Sequence, residues 1–443
     1  MTALLRTPRS WPSILLPRVA PADPTDLDAA VRAGAFAGRR EAIRQGPAAI
    51  IEIVAAAGLR GRGGAGFPTA DKWRAAAAAV AAGGRPPIVV ANGYAADPSS
   101  RTDIELLERN PYAVLEGLAI AAFAIGAEEA IVAVRAEATE AIRRLEAAVA
   151  AAEEANLLGE DVQGSGRDLA VSIRTVRGAY LLGEETVLLK ALAGGRGQPE
   201  QRPPHPATRG LDGRPTVVHN VQTLAALPWI LVNGSAAYAG VGAKDGPGTI
   251  LVQVRSPAGE GIAEVPLGTK LRDIVALAGD LPAGRSLKAV LVGGPSGGIL
   301  PAAALDTRYT FADLRAAGAH VGSGSVIVAD DRACVVDLAR ILTRFCSDEA
   351  CGKSIPCRIG TRRLSEIGER MAAGTSRAGD LGLLTDLSSD IVGSALCDHE
   401  RLATLPLTSG LRYFREELEA HVSRGSCPAG VCRPIAMAAA AAQ

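Results

Sequence analysis

Between Pro86 and about residue 240, short apolar runs and helix-length runs take turns along the chain. "PPIVVANGY" (86–94), "EEAIVAVRAE" (128–137) and "LAVSIRTVRGAY" (169–180) read as strands: brief, rich in β-branched residues and closed by polar or glycine turns. "NPYAVLEGLAIAAFAIGA" (110–127) and "ATEAIRRLEAAVAAAEEANLLG" (138–159) have helical length and spacing, and "GEETVLLKALAGG" (183–195) is a further helix. Strands separated by helices cannot pair as tight hairpins, so the crossovers lay them side by side in one direction. The expectation is an α/β fold with a mostly parallel sheet through residue 240. Residues 25–57 read as helix ahead of it.

The pattern then changes twice. "GTILVQVRS", "GIAEVPLG", "LKAVLVGG" and "HVGSGSVIVAD" are short strands around the helix "LRDIVALAG", which makes a small α+β unit over 241–332. From 333 to 443 four amphipathic helices are expected: "CVVDLARILTRFC", "GTRRLSEIGERMAAG", "LGLLTDLSSDIVGSA" and "SGLRYFREELEAHV". The division is therefore 1–240, 241–332 and 333–443.

Charge narrows the function classes. Lys plus Arg and Asp plus Glu each total 47 among 443 residues, so no field of one sign steers a nucleic acid or an anionic membrane to the chain. Aromatic residues are 3%, so the cores are aliphatic. The longest apolar stretch, "GLAIAAFAIGA", stops at Glu128, short of a membrane span, and the N-terminal apolar run is too short for a secretory signal. A cytoplasmic chain without membrane insertion is expected. Of seven cysteines, none precedes Cys334 and six lie from Cys346 to Cys432. Such clustering points to metal or cluster ligation rather than disulfides.

The segment "GLRGRGGAGFPTADKW" (58–73) contains Gly61-x-Gly63-x-x-Gly66, formally a dinucleotide fingerprint. That fingerprint follows a strand, whereas this one follows the helical run "AAIIEIVAAAG", so the usual reading does not apply. Glycines nevertheless permit positive φ and close backbone approach, and their N–H groups can form an anion nest. Arg60, Arg62 and Lys72 complement it. The bland alternative is a flexible loop.

"GLRGRGGAGFPTADKW", "GAYLLGEETVLLKAL", "PPHPATRGLDGRPTVVHNVQTL", "VGGPSGG" and "CGKSIPCRIGTRRL" stand in the order found in one family. Over about residues 14–432 the chain resembles the FMN- and NADH-binding flavoprotein (51 kDa-type, F) subunit of respiratory complex I. It is also similar to the relatives of that subunit in NAD-linked hydrogenases and formate dehydrogenases. The resemblance implies a Rossmann-like FMN-binding domain, a small β-grasp-like (SLBB-type) α+β domain and a C-terminal four-helix iron–sulfur domain. It assigns Arg62, Gly63, Gly64, Gly66, Lys72 and Asn92 to FMN. Tyr180, Gly183, Glu184 and Glu185 fall beside the flavin and nicotinamide, with the two glutamates at the catalytic position. Asn220 and Thr223 match part of the family's N-N-x-E-T; Arg202 and His205 stand in its K-P-P-F-P. Read alone, "GEET" is simply a helix start with acidic residues at the positive dipole end.

The departures gather on the nucleotide side. The family's N-x-D-E-x-E-P is "NGYAADP" here, so Tyr94 and Ala95 replace an acidic pair and Asp97 a glutamate. His205 replaces a phenylalanine expected on adenine, and His219 and Gln222 replace an asparagine and a glutamate. In the cluster frame, Cys351 and Cys357 match the first and third places of C-x-x-C-x-x-C and Cys397 the remote place, while Ser354 occupies the second. A cubane cluster takes four ligands. Open readings are a four-iron cluster with Ser354 or another group on one iron, a three-iron cluster, or none. In "HVSRGSCPAGVCRP", His421, Cys427 and Cys432, with a fourth group such as Cys346, can form a zinc site, or two thiols lie free in a tail. Cys334, on an apolar helical face, is expected in the core.

Three functions follow. The first is an electron-transfer subunit that oxidises NAD(P)H through FMN and a cluster, with a thioredoxin-like two-iron subunit and a larger iron–sulfur subunit or ferredoxin as partners. The second is an FMN and iron–sulfur relay that no longer takes NADH. The third is a redox-inactive scaffold.

Overall fold

The computed structural model describes residues 2–19 and 21–432. The chain divides into two compact units. One takes the residues through Ala96, then Ser100–Val252 and Ile262–Thr269; the other takes Asp97–Ser99, Gln253–Gly261 and the chain from Lys270 onward.

The first unit is built on strands β1 (Ile88–Gly93), β2 (Glu129–Arg135), β3 (Ala170–Val176) and β4 (Thr216–Asn220), in the order β3-β2-β1-β4. All three neighbouring pairs are parallel, as the crossovers require. Helices Pro111–Ile125 and Thr139–Glu154 carry the first two connections. Pro111–Ile125 is apolar all round and buried almost throughout, the mark of a central helix. It crosses helix Val221–Asn233 at Gly117, where a Cβ would come within 2.0 Å of the Leu224 carbonyl oxygen, so only glycine fits. The helical run expected over 25–57 is three helices, Leu27–Arg32, Ala37–Gln45 and Pro47–Ala57. Phe36, at φ 61°, and Gly46, at φ 84° before Pro47, break it.

Strand order fixes where a ligand fits. The chain steps outward from β1 to β3, then returns to the other side of β1 as β4. The crevice at such a reversal opens at the carboxyl ends of the two strands, where open α/β sheets bind ligands. Asn92 and Asn220 are register partners at those ends.

Two short strands, β5 (Gly242–Ala243) and β6 (Gly246–Pro247), precede a five-stranded mixed sheet. Its members are β7 (Thr249–Ser256), β8 (Gly259–Pro266), β9 (Leu287–Val292), β10 (Gly298–Pro301) and β11 (Ser325–Asp330), ordered β10-β9-β11-β7-β8. Helices Val335–Asp348, Arg362–Ala373 and Asp380–Ser394 follow as expected. The expected fourth helix is broken at Phe414 (φ −128°, ψ 34°) into Leu405–Tyr413 and Arg415–Arg424. Leu342, Leu364, Ile367, Leu384, Leu407 and Leu418 share one apolar cluster with Cys334 and Cys432. Among the described residues no helix is long and apolar enough to cross a membrane.

Candidate functional site

The glycine loop is pinched at its base. Helix Pro47–Ala57 ends at Gly58 in the left-handed region. The Thr69 amide then donates to the Leu59 carbonyl (2.9 Å) and the Gly61 amide to the Phe67 carbonyl (2.9 Å). Arg60 Nη1 spans the loop to the Gly66 carbonyl (2.9 Å). Gly64 at φ 107° and Gly66 at φ 65° hold backbone conformations that side chains disfavour. Gly63 faces Asn220 at the end of β4, where a Cβ would meet the Asn220 Cβ at 3.5 Å. The Arg62 amide donates to Thr223 Oγ1 (2.8 Å), mooring the loop to the helix after β4. The glycine loop therefore lies at the β1/β4 reversal.

The Arg62 side chain corrects the expectation of a phosphate cation. Only 1% exposed, its guanidinium donates to the carbonyls of Thr249 (2.9 Å) and Arg60 (2.8 Å) and to the Tyr238 hydroxyl (3.0 Å). It is an internal strut. Thr223 likewise turns its oxygen to the loop amide.

A chain of alternating charge forms the next wall. Lys72, one turn into helix Thr69–Ala81, reaches Glu185 Oε2 (2.6 Å) and the Val218 carbonyl (3.1 Å). Arg202 lies 3.3 Å from Glu185 Oε1 and also pairs with Glu184 Oε1. Glu184 Oε2 caps helix Glu185–Leu192, accepting from the amides of Thr186 (2.8 Å) and Val187 (2.9 Å). The helix-start reading and the site reading are thus both true of it. Tyr180 opens the turn Tyr180–Gly183 leading to these carboxylates. Asn92 Nδ2 is 3.4 Å from the Gly183 carbonyl, joining the end of β1 to that turn. His205 is exposed, and its carbonyl closes a turn to Thr208 and Arg209.

Several partners carried no sequence signal. Asp103 accepts from Asn220 Nδ2 (2.6 Å) and Gln222 Nε2 (2.7 Å), yet in "RTDIELLER" it reads only as an acidic helix start. Trp73 Nε1 donates to His219 Nε2 (2.8 Å), so the histidine in place of asparagine is a neutral acceptor. Burial, aided by Lys72, brings its pKa to about 3. The position of the missing acidic pair holds Tyr94, buried beneath the Arg135 guanidinium, and Ala95 at φ 50°. Asp97 is taken up by the Ser99 amide (2.7 Å) and the Ser323 hydroxyl within the second unit.

Cys357 sits on a π-helical turn, Pro356–Thr361. Burial first, then the charges of Glu400, Cys397 and Cys351, pushes its thiol up to about 12. Ser354 Oγ donates to Glu400 Oε1 (2.7 Å).

A second donor set is more compact. Cys334, His421, Cys427 and Cys432 place their ligand atoms within 4.8 Å of one another. His421 Nε2 is 3.5 Å from Cys334 Sγ and 3.5 Å from Cys432 Sγ, and those sulfurs are 3.7 Å apart. His421 Nδ1 lies 2.8 Å from the Glu417 carbonyl, which fixes its proton there and turns the Nε2 lone pair to the sulfurs. Burial raises the Cys427 thiol, but the amides of Cys432 and Val431 and the side chains of Cys432 and His421 bring it to about 6. Three sulfurs and one imidazole suit zinc. The fourth member of this donor set is Cys334 and not Cys346, so Cys334 is placed for more than core packing. Cys346 is buried elsewhere, its sulfur 3.7 Å from the Pro295 carbonyl. "ACVVDLARIL" hid Cys334 because its neighbours are apolar.

An open parallel sheet with a glycine loop at its reversal, followed by a helical region carrying a cysteine frame, is the arrangement expected of a flavin and iron–sulfur class of electron-transfer protein. Residues 54–229 match the family described as "Nuo51 FMN-binding domain", and 337–421 match "NADH-ubiquinone oxidoreductase-F iron-sulfur binding region". The chain belongs to the family that contains the F subunits of NADH-quinone oxidoreductases and their hydrogenase relatives. It is 39% identical, over 93% of its length and 84% of the relative's, to the NADP-reducing hydrogenase subunit HndC of Solidesulfovibrio fructosivorans. Identity to the NADH-quinone oxidoreductase F 2 subunit of Rhizobium meliloti is 42%, over 86% of this chain and 90% of the relative. Among solved structures, an NAD+-reducing [NiFe]-hydrogenase in the H2-reduced state superposes with a TM-score of 0.81 at 33% identity, covering 95% of this chain and 68% of that one.

Proposed function

We propose that the chain oxidises NADH at an FMN held at the β1/β4 reversal and passes single electrons to an iron–sulfur cluster on Cys351, Cys357 and Cys397, and from there to a partner subunit. The single observation that carries this is the meeting of the glycine loop, Lys72, Asn92 and the Glu184–Glu185 pair at the carboxyl ends of β1 and β4. FMN supplies the exchange between a two-electron hydride donor and one-electron carriers. The chain's own residues do the rest. The loop amides around Gly64 and Gly66 would serve the phosphate as neutral donors, with Arg62 bracing the loop from behind. Lys72 would add positive charge to the phosphate site, and the partly exposed Glu184 and Glu185 hold it and Arg202 in place.

The division into 1–240, 241–332 and 333–443 is kept as part of this proposal, with the α+β segment lying between the flavin and cluster segments in chain order. The partners it implies are a thioredoxin-like two-iron subunit and a larger iron–sulfur subunit or ferredoxin, in keeping with relatives that are themselves named as subunits. One observation favours a second reading, a relay that takes no NADH: a buried tyrosine and a strained alanine stand where the family carries acids. Anaerobic NADH added to the FMN-loaded protein separates the two. Bleaching of the flavin band supports oxidation of NADH; an unchanged band, with bleaching by dithionite, supports the relay.

A further inference from the structure

A carboxylate stands where the cluster frame lacks its fourth thiolate. Glu400 is 1% exposed, and its two oxygens are tied to both ligand-bearing segments. Oε1 accepts from the hydroxyl of Ser354, in the second place of the Cys-x-x-Ser-x-x-Cys frame (2.7 Å). Oε2 accepts from the amide of Leu396, the residue before Cys397 (2.9 Å). Both donors are neutral, and a carboxylate buried on neutral donors alone is costly unless it pairs with a cation or binds a metal. Glu400 thereby bridges the segment that carries Cys351, Ser354 and Cys357 and the segment that carries Cys397.

Ser354 is the less suitable fourth donor. It keeps its proton and directs it at Glu400, and it would ligate iron only after losing that proton. A carboxylate offers iron an oxygen lone pair without first breaking a hydroxyl bond. We propose that Glu400 supplies the fourth ligand of the cluster held by Cys351, Cys357 and Cys397, with Ser354 as the positioning residue that orients the carboxylate. This rests on the reading that the site binds a cluster. In the step itself a carboxylate lone pair forms one iron–oxygen bond. No electron is transferred, and only solvent leaves the iron. An oxygen ligand is harder than thiolate, so that iron is the one lost first on oxidation.

The test is anaerobic reconstitution of the full chain with iron and sulfide, read by iron content and paramagnetic resonance. The parent protein should hold about four irons. Glu400→Gln keeps an acceptor for Ser354 but removes the anion; it should stop at about three irons and show the signal of an oxidised three-iron cluster. Ser354→Ala should keep the fourth iron but lose it faster in air, and Cys346→Ala should behave as the parent. Retention of the fourth iron in Glu400→Gln, or its absence from Ser354→Ala or Cys346→Ala directly after anaerobic reconstitution, overturns the assignment. Should Glu400→Gln fail to fold, Mössbauer spectra of the parent loaded with enriched iron decide. One oxygen-ligated iron among thiolate-ligated ones supports Glu400, and a uniform set overturns it. No iron in the parent removes the cluster reading as well, an outcome distinct from iron that ignores Glu400.

Discussion

Substitution of Gly64 by alanine tests the phosphate nest at its most constrained point. Gly64 sits at φ 107°, where a side chain costs about 1–3 kcal/mol. In the free protein the partly exposed loop can relax to a neighbouring conformation and shed that strain. With the phosphate bound, the amides must point as they do now, and the strain returns. The cost therefore falls on binding. At about 1.4 kcal/mol per tenfold, FMN affinity should drop roughly 5- to 150-fold. Gly83→Ala is the control: it lies at φ 88° beyond helix Thr69–Ala81, with nothing within 4 Å of an added Cβ. It should lose at most about 1–3 kcal/mol of stability and no affinity. Fluorescence titration of flavin-free protein with FMN reads both variants. An unchanged dissociation constant in Gly64→Ala, or equal losses in the two, would refute the nest.

His219 predicts a pH dependence. Its pKa is about 3 in the folded chain because of burial and then Lys72, against about 6.5 unfolded, so between these values the unfolded chain binds more protons. Its contribution to stability is complete above about pH 6.5 and is lost as pH falls, by about 2 kcal/mol at pH 5. Urea denaturation at pH 7 and pH 5 should show a smaller drop in His219→Gln than in the parent; equal drops contradict the burial of a neutral ring against Trp73. Zinc should co-purify with the chain at about one per chain and be lost in Cys334→Ala, whereas Cys346→Ala should keep it; the reverse pattern would restore Cys346 as the ligand. Lys72→Met removes a cation 2.6 Å from Glu185 and should weaken FMN at least tenfold, read by retained flavin after gel filtration.

How much of this was legible follows the range of the interactions. Strands β1 to β3 and their crossovers are local patterns, and they stand in the sequence plainly. The binding crevice is not local: it exists because "TVVHN" joins the sheet beside β1, a five-residue strand that periodicity does not pick out. Side-chain direction was the other blind spot. Arg62 beside glycines suggests a phosphate cation, yet its guanidinium is drawn inward by the carbonyls of Thr249 and Arg60. Glu400 and Asp103 acquire meaning only from residues distant in sequence, Ser354 and Asn220. Family resemblance supplied Cys351, Cys357 and Cys397. The compact zinc-type set needed the chain break at Phe414, with His421 on the helix that follows it.

The most direct measurement is an anaerobic titration of the FMN- and iron-reconstituted chain with NADH, followed optically and by paramagnetic resonance. The flavin band should bleach at about one NADH per flavin, and a reduced-cluster signal should grow as the flavin is filled. A flavin that stays oxidised under excess NADH, while dithionite reduces both centres, would contradict NADH oxidation by this chain.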